Sequence, residues 1–203
     1  MIGDTVCEQE ALWIEAARKG DDLAFSQLIQ NYQKPVFSLC YRMLGNSNDA
    51  EDAAQETFIR AYRHLKRYDP DRSFATWLLS IASHYCIDRM RKRQLPTVST
   101  DSLPADIVPD RHTPDPEREY RSQEKEMVIQ NLLNKLKPTD RAAIVLRYWH
   151  EYSEVEIAEA LNLSVSAVKS RLFRSRQALA ELWTSTEAAS VVSERTPHES
   201  PAF

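Results

Sequence analysis

Between Glu159 and Glu181 the chain has no acidic residue, and Lys169, Arg171, Arg174 and Arg176 fall inside that stretch. At helical periodicity Val168, Leu172, Leu179 and Leu182 lie on the opposite side. The small residues Ser164, Ser166 and Ala167 precede the cations, where bulk would hold the backbone away from a groove floor. This make-up suits a helix that reads DNA, with cations for phosphates and base edges and an apolar side held to its domain. An ordinary amphipathic helix with a solvated basic face is the plainer alternative. A net charge of −4, from 30 acidic and 26 basic residues, argues against nucleic acid at first sight, but the distribution favours DNA, because an acid-free run stands out in so acidic a chain.

A second basic block, Arg89-Met90-Arg91-Lys92-Arg93, ends another expected helix. Cations are favoured at a helix C-terminus by the macrodipole, yet four in five residues exceeds what capping needs, so a phosphate-contacting patch is expected. The third block is acidic: Asp49, Glu51, Asp52 and Glu56, with Gln55 among them. Asp49 and Glu51 fit a helix N-terminus. Asp52, Gln55 and Glu56 fall a turn or more in, at i, i+3 and i+4, and read as a protein-docking face. Acid–base or metal chemistry on these carboxylates lacks a partner, since the five histidines (His64, His84, His112, His150, His198) have no ligand spacing. No enzyme activity, metal or cofactor is expected. His84 and Asp88 lie four apart and share a face. His84 can donate and accept, and Asp88 can accept from an exocyclic amine. The alternative, Asp88 pairing with Arg91 or Lys92, stands beside it.

The elements that position these groups are helices. Only three glycines (Gly3, Gly20, Gly45) occur, where average usage gives about fourteen, so tight hairpins and phosphate-cradling loops are excluded. The pattern predicts helices over about Glu8–Lys19, from Asp21–Asp22 to Leu44 with an offset at Pro35, over Asn48–Leu65, and from Ser73 through the second basic block. Gly45 supplies a left-handed cap. On the fourth helix Phe74, Trp77, Leu78, Ile81, Ala82 and Tyr85 form one apolar stripe. Five of the ten prolines fall in residues 95–116 and define a linker. Beyond it come a helix around Glu117–Leu136, a Pro138-Thr139 break, a helix to about His150, and a short helix Ser153–Leu161. That short helix opens on the capping box Ser153-Glu154-Val155-Glu156. The turn Asn162-Leu163-Ser164 leads into the last helix, Val165 to Trp183, completing a helix-turn-helix. The tail 184–203 reads as disordered. An all-α fold of two small domains follows, 1–94 and 117–183. Cys7, Cys40 and Cys86 suggest no disulfide or zinc knuckle, and Cys40 and Cys86 read as buried thiols. No apolar run is long enough for a membrane span and no secretory signal is apparent, so a cytoplasmic location is expected.

Four motifs in order carry a family resemblance. Asp49-Ala-Glu-Asp-Ala-Ala-Gln-Glu-Thr-Phe58, Ser73-Phe-Ala-Thr-Trp-Leu78, the basic helix end, and a helix-turn-helix containing Val168-Lys-Ser-Arg-Leu172 resemble bacterial sigma factors of the extracytoplasmic-function class. The resemblance covers about residues 20–94 and 120–183. It implies a transcription initiation factor that directs core RNA polymerase to promoters. By it, Asp52, Gln55 and Glu56 dock on the clamp helices of the largest polymerase subunit. Tyr68, Arg72, Ser73, His84, Asp88, Arg89, Arg91 and Lys92 serve the minus-10 element and its melted non-template strand. Ser164, Ser166, Ala167, Lys169, Ser170, Arg171 and Arg174 serve the double-stranded minus-35 element, while their domain grips the polymerase flap. The acidic linker threads towards the RNA exit path, and an anti-sigma factor holds the protein inactive. One departure is that family members often have Arg-Asn where this chain has Ser83-His84, which bears on minus-10 base preference. The other reading is a two-domain helix-turn-helix regulator that binds an operator.

Overall fold

The computed structural model describes residues 2–94 and 126–193, with side-chain surroundings for 9–93 and 126–184. The described residues hold helices and no strand: α1 (Ile2–Arg18), α2 (Asp22–Leu44), α3 (Ser47–His64), a 3₁₀ turn (Leu65–Arg67), α4 (Phe74–Gln94), α5 (126–134), α6 (Pro138–Trp149), α7 (Glu154–Leu161) and α8 (Val165–Ser193). The linker 95–116 and the residues after it to 125 lie outside the described residues.

Local chemistry sets most boundaries. Asp21 caps α2 by accepting from the Leu23 and Ala24 amides, and Gly45 ends it at φ 72°, donating to the Tyr41 carbonyl. Pro35 lies within an unbroken α2, where its missing N–H removes one bond of the ladder. Asn46 caps α3 through the Asp49 amide, which starts that helix at Ser47. Pro138 opens α6 at its first position, where its missing N–H costs nothing. The Ser153–Glu156 capping box is fully formed, and Asn162 ends α7 at φ 55°. At the C-terminal end the structure corrects the expected disorder. α8 continues to Ser193, because no glycine or proline interrupts residues 184–193; residues 194–203 lie outside the described part.

α2, α3 and α4 pack on one another with α1 across α2, around Leu28, Leu39, Met43, Leu65 and Leu78. α5 to α8 close around Leu133, Val145, Leu146, Ile157 and Val168. The two units touch: α4 lies against α6 and α7, and α2 meets α6. α4 is therefore covered twice. The expected stripe faces α2 and α3, through the Tyr32–Phe74 ring pair and Arg60 over the Tyr85 ring. Thr76, Leu79, Ser83 and Ile87 are also buried, on the opposite face, about 175° away at 100° per residue. Cys40 and Cys86 are buried free thiols. A hydrogen bond from the Cys86 S–H to Cys40, together with burial, pushes the Cys86 thiol far up.

Candidate functional site

The candidate DNA helix, α8, is held by Val168 and Leu172, both buried. Ser164 caps it, its Oγ accepting from the Ala167 amide at 3.2 Å, and Ser166 Oγ lies 3.1 Å from Ser164 Oγ. Ser170 Oγ donates back to the Ser166 carbonyl at 3.0 Å. Lys169 is exposed, 3.6 Å from Glu154 on α7, and Arg174 is exposed; Ala167 is half-buried. Arg171 does something else. Its guanidinium donates to Asp140 at the start of α6 at 2.6 Å and is partly buried, so it fastens α8 to α6. Sequence reasoning missed Phe173, which is 56% exposed on the cationic side. An exposed aromatic one turn after Lys169 was the available signal.

The α4 residues divide likewise. His84 and Asp88 are both exposed on one face. His84 Nδ1 donates to the Ser80 carbonyl at 2.8 Å. That carbonyl can only accept, so in the neutral ring the outward Nε2 is an acceptor. Asp88 lies 3.9 Å from Arg91, a loose surface pair. Arg91 also donates to Thr139 on α6 at 3.4 Å, and Lys92 is exposed. Ser73 accepts from the Thr76 amide at 3.4 Å and so begins α4. Arg72 lies 3.8 Å from Asp69 and 3.4 Å from Glu159 on α7. Tyr68 is buried, 4% exposed, packed on Phe74 and Trp77, with its hydroxyl donating to the Arg72 carbonyl. It shapes the loop from within and presents no face to a base.

Arg89 is drawn off the basic block. It donates to Asp49 at 2.5 Å and lies 3.7 Å from Asp52, while Arg93 donates to Asp49 at 2.6 Å. Partial burial pushes the Asp49 carboxyl up, but hydrogen bonds and charge from Arg93 and Arg89 outweigh it and hold it below the usual value. A depressed carboxylate stabilises the fold above its unfolded pKa and loses that contribution as pH falls through the folded one. Asp49→Asn is therefore expected to cost about 1 kcal/mol at pH 7, scaled to partly exposed arginine pairs. The gap to wild type should close below about pH 3 in urea unfolding. A gap equal at both pH values would remove the ion-pair account.

On α3, Asp52 and Gln55 are exposed, while Glu56 is half-exposed and paired with Arg60 at 2.7 Å. Beside them lies a cleft of about 510 Å³ with Ile29, Phe37, Ala54 and Phe58 as its apolar floor, lined also by Lys34 and Gln55. Of the residues expected to dock a partner, Gln55 lines this cleft while Asp52 and Glu56 do not, and sequence reasoning missed the apolar floor because its halves come from two helices. A smaller apolar groove of about 350 Å³ runs between α5, α6 and α8, lined by Ile129, Leu132, Ile144, Tyr148 and Leu179. Among the described residues no cluster of His, Cys, Asp or Glu could hold a metal, and no helix is long and apolar enough to cross a membrane.

Comparison with known proteins matches both units. The Sigma-70 region 2 family model covers residues 28–95, and the Sigma-70 region 4 model covers 126–179. The ECF RNA polymerase sigma factor SigW of Bacillus subtilis is 41% identical over 174 residues, spanning 82% of this chain and 92% of that protein. RNA polymerase sigma-H factor of Pseudomonas aeruginosa is 32% identical over 178 residues, 85% of this chain and 92% of that one. Among solved structures, CnrH in complex with the cytosolic domain of CnrY superposes with TM-score 0.65 at 26% identity, over 87% of this chain and 98% of that one. These matches favour an initiation factor over an operator-binding regulator. With both regions present in order and a relative 41% identical over 92% of its length, the chain belongs to the extracytoplasmic-function sigma factors of RNA polymerase.

Proposed function

We propose that residues 1–94 dock this sigma factor on core RNA polymerase and read and open the minus-10 element, and that residues 117–183 read the minus-35 element. The observation that carries this is one chain holding both an exposed cationic helix and, beside the acidic face of α3, an apolar cleft that Glu51 and Gln55 help to line. Such a cleft suits an amphipathic helix with basic flanks, as clamp helices of polymerase would supply. The α5–α6–α8 groove suits an apolar segment of the flap. At the minus-10 element His84 accepts from, and Asp88 accepts from, exocyclic amines of flipped bases, with Arg91 and Lys92 on phosphates. Of the pair Ser83-His84, only His84 is exposed, so the base preference there falls to His84. The linker 95–116 joins the two readers within the polymerase. CnrH was solved bound to the cytosolic domain of CnrY, and a partner of that kind, an anti-sigma factor, would hold this chain until a signal arrives. The protein works in the cytoplasm.

The test is run-off transcription with purified core polymerase on a promoter library. Transcripts from a defined minus-10/minus-35 class, abolished by omitting the chain, are expected. Promoter binding without polymerase, and no transcript with it, would instead support an operator-binding regulator.

A further inference from the structure

A cleft of about 790 Å³ opens beside the start of α6, and its walls are cationic. Arg91 of α4, Lys135 and Lys137 of the α5–α6 turn, and Arg171 and Arg174 of α8 line it against a single carboxylate, Asp140. Arg171 takes that carboxylate at 2.6 Å. Four cations are left over. Lys135, Lys137 and Arg174 are exposed and have no acidic partner among the described residues, and Arg91 has only its loose pair with Asp88 at 3.9 Å. Like charges gathered around one concavity repel, and an anion inside it relieves them.

Two further features point to the same kind of ligand. Ser175 on the cleft wall is 4% exposed, and its hydroxyl has no hydrogen-bond partner among the described residues. A buried hydroxyl without a partner is costly, and a phosphate oxygen would satisfy it. α6 also begins here without a side-chain cap, since Lys137 supplies none. Its first-turn amides are donors suited to an anion. Size and charge density then choose among anions. The volume falls in the range of small-molecule sites, about 300–1,000 Å³. A single phosphate would meet one or two of the four cations, and a duplex presents its phosphates one at a time along a convex backbone. Linked phosphates set several charges and many acceptor oxygens inside one cavity, which the arginine forks, the two ammonium groups and the Ser175 hydroxyl can all use.

We propose that this cleft binds a linear polyphosphate group, carried by a nucleotide or free as an inorganic chain, and that its occupant withdraws Arg91 and Arg174 from promoter phosphates. The binding stands on the cleft alone, whereas its effect on promoters rests on the function proposed above. The test is isothermal titration calorimetry of the full chain without DNA, polymerase or divalent cations. The probes are inorganic tripolyphosphate and adenosine 5′-triphosphate, with inorganic phosphate for comparison. Saturable binding of tripolyphosphate is expected, at least about tenfold tighter than inorganic phosphate, because linked phosphates make more charge-assisted bonds. Equal or weaker binding of the nucleotide assigns the site to the phosphate chain, and tighter binding adds its base against Leu136 and Ala178. Lys135→Glu with Lys137→Glu should weaken tripolyphosphate at least about tenfold. Arg63→Glu with Lys66→Glu, both exposed and outside the cleft, changes net charge equally and should leave binding as it is. Ser175→Ala, which removes only the hydroxyl, should weaken binding by about threefold or more. No saturable binding, equal losses in the two double variants, or a Lys135→Glu/Lys137→Glu defect confined to duplex minus-35 DNA overturns the site. Tripolyphosphate binding without run-off transcripts from core polymerase would sink the functional reading and leave the cleft standing.

Discussion

Reversing two charges, Asp52→Lys with Glu56→Lys, is expected to weaken binding to core RNA polymerase at least about a hundredfold, since a like charge at a docked acidic rim costs several kcal/mol. The fold should not notice. Asp52 has a side chain 67% exposed and lies only loosely near Arg89, and the Glu56–Arg60 pair is a surface pair along one helix. Such pairs contribute about 0–1 kcal/mol. Fluorescence titration of labelled core polymerase gives the affinity, and thermal unfolding should shift by only a few degrees. The cleft floor predicts a companion result: Phe58→Ala, half-buried beside Gln55, lowers the same affinity without altering its salt dependence. Wild-type affinity in the charge-reversed protein would mean that core polymerase docks elsewhere.

On α8 the structure divides one basic run into different tasks, and binding to minus-35 DNA should show the division. Lys169→Ala or Arg174→Ala removes a phosphate contact, weakening all sequences alike and lowering the salt slope by about 0.9 each. Phe173→Ala removes an exposed ring suited to a thymine methyl, costing about 1–3 kcal/mol at one position and relaxing choice there. Arg171→Ala strands Asp140, whose side chain is 19% exposed, and should lower the unfolding midpoint more than it changes the salt slope. Equal salt slopes for wild type, Lys169→Ala and Arg174→Ala would remove α8 as the DNA reader.

The contrast between Lys169 and Arg171 marks how far the sequence was legible. Periodicity placed both on one cationic helix, and that helix exists. Only the fold reveals that Asp140, 31 residues earlier, claims one of them. Asp49 and Arg89 repeat the lesson: an expected helix-end acid and an expected phosphate contact neutralise each other across 40 residues. Capping chemistry was legible at Gly45 and Ser153 because it is local. The second face of α4 was not, because Leu79, Ser83 and Ile87 look unpatterned until α6 and α7 supply a surface for them. Tyr68 was assigned outward from its loop, whereas its neighbours Phe74 and Trp77 draw the ring inward.

The paired thiols of α2 and α4 give the N-terminal domain a built-in clock. Cys40 and Cys86 have no exposed surface, and the Cys86 thiol is held far from its reactive anionic form. Alkylation needs both solvent access and a thiolate. In the native arrangement neither is available at Cys86, so each alkylation event there records an excursion in which the two helices have parted. Its rate at neutral pH thus counts openings of the domain, as amide exchange counts them for the backbone. The N-terminal domain can be timed by its own chemistry, without a label.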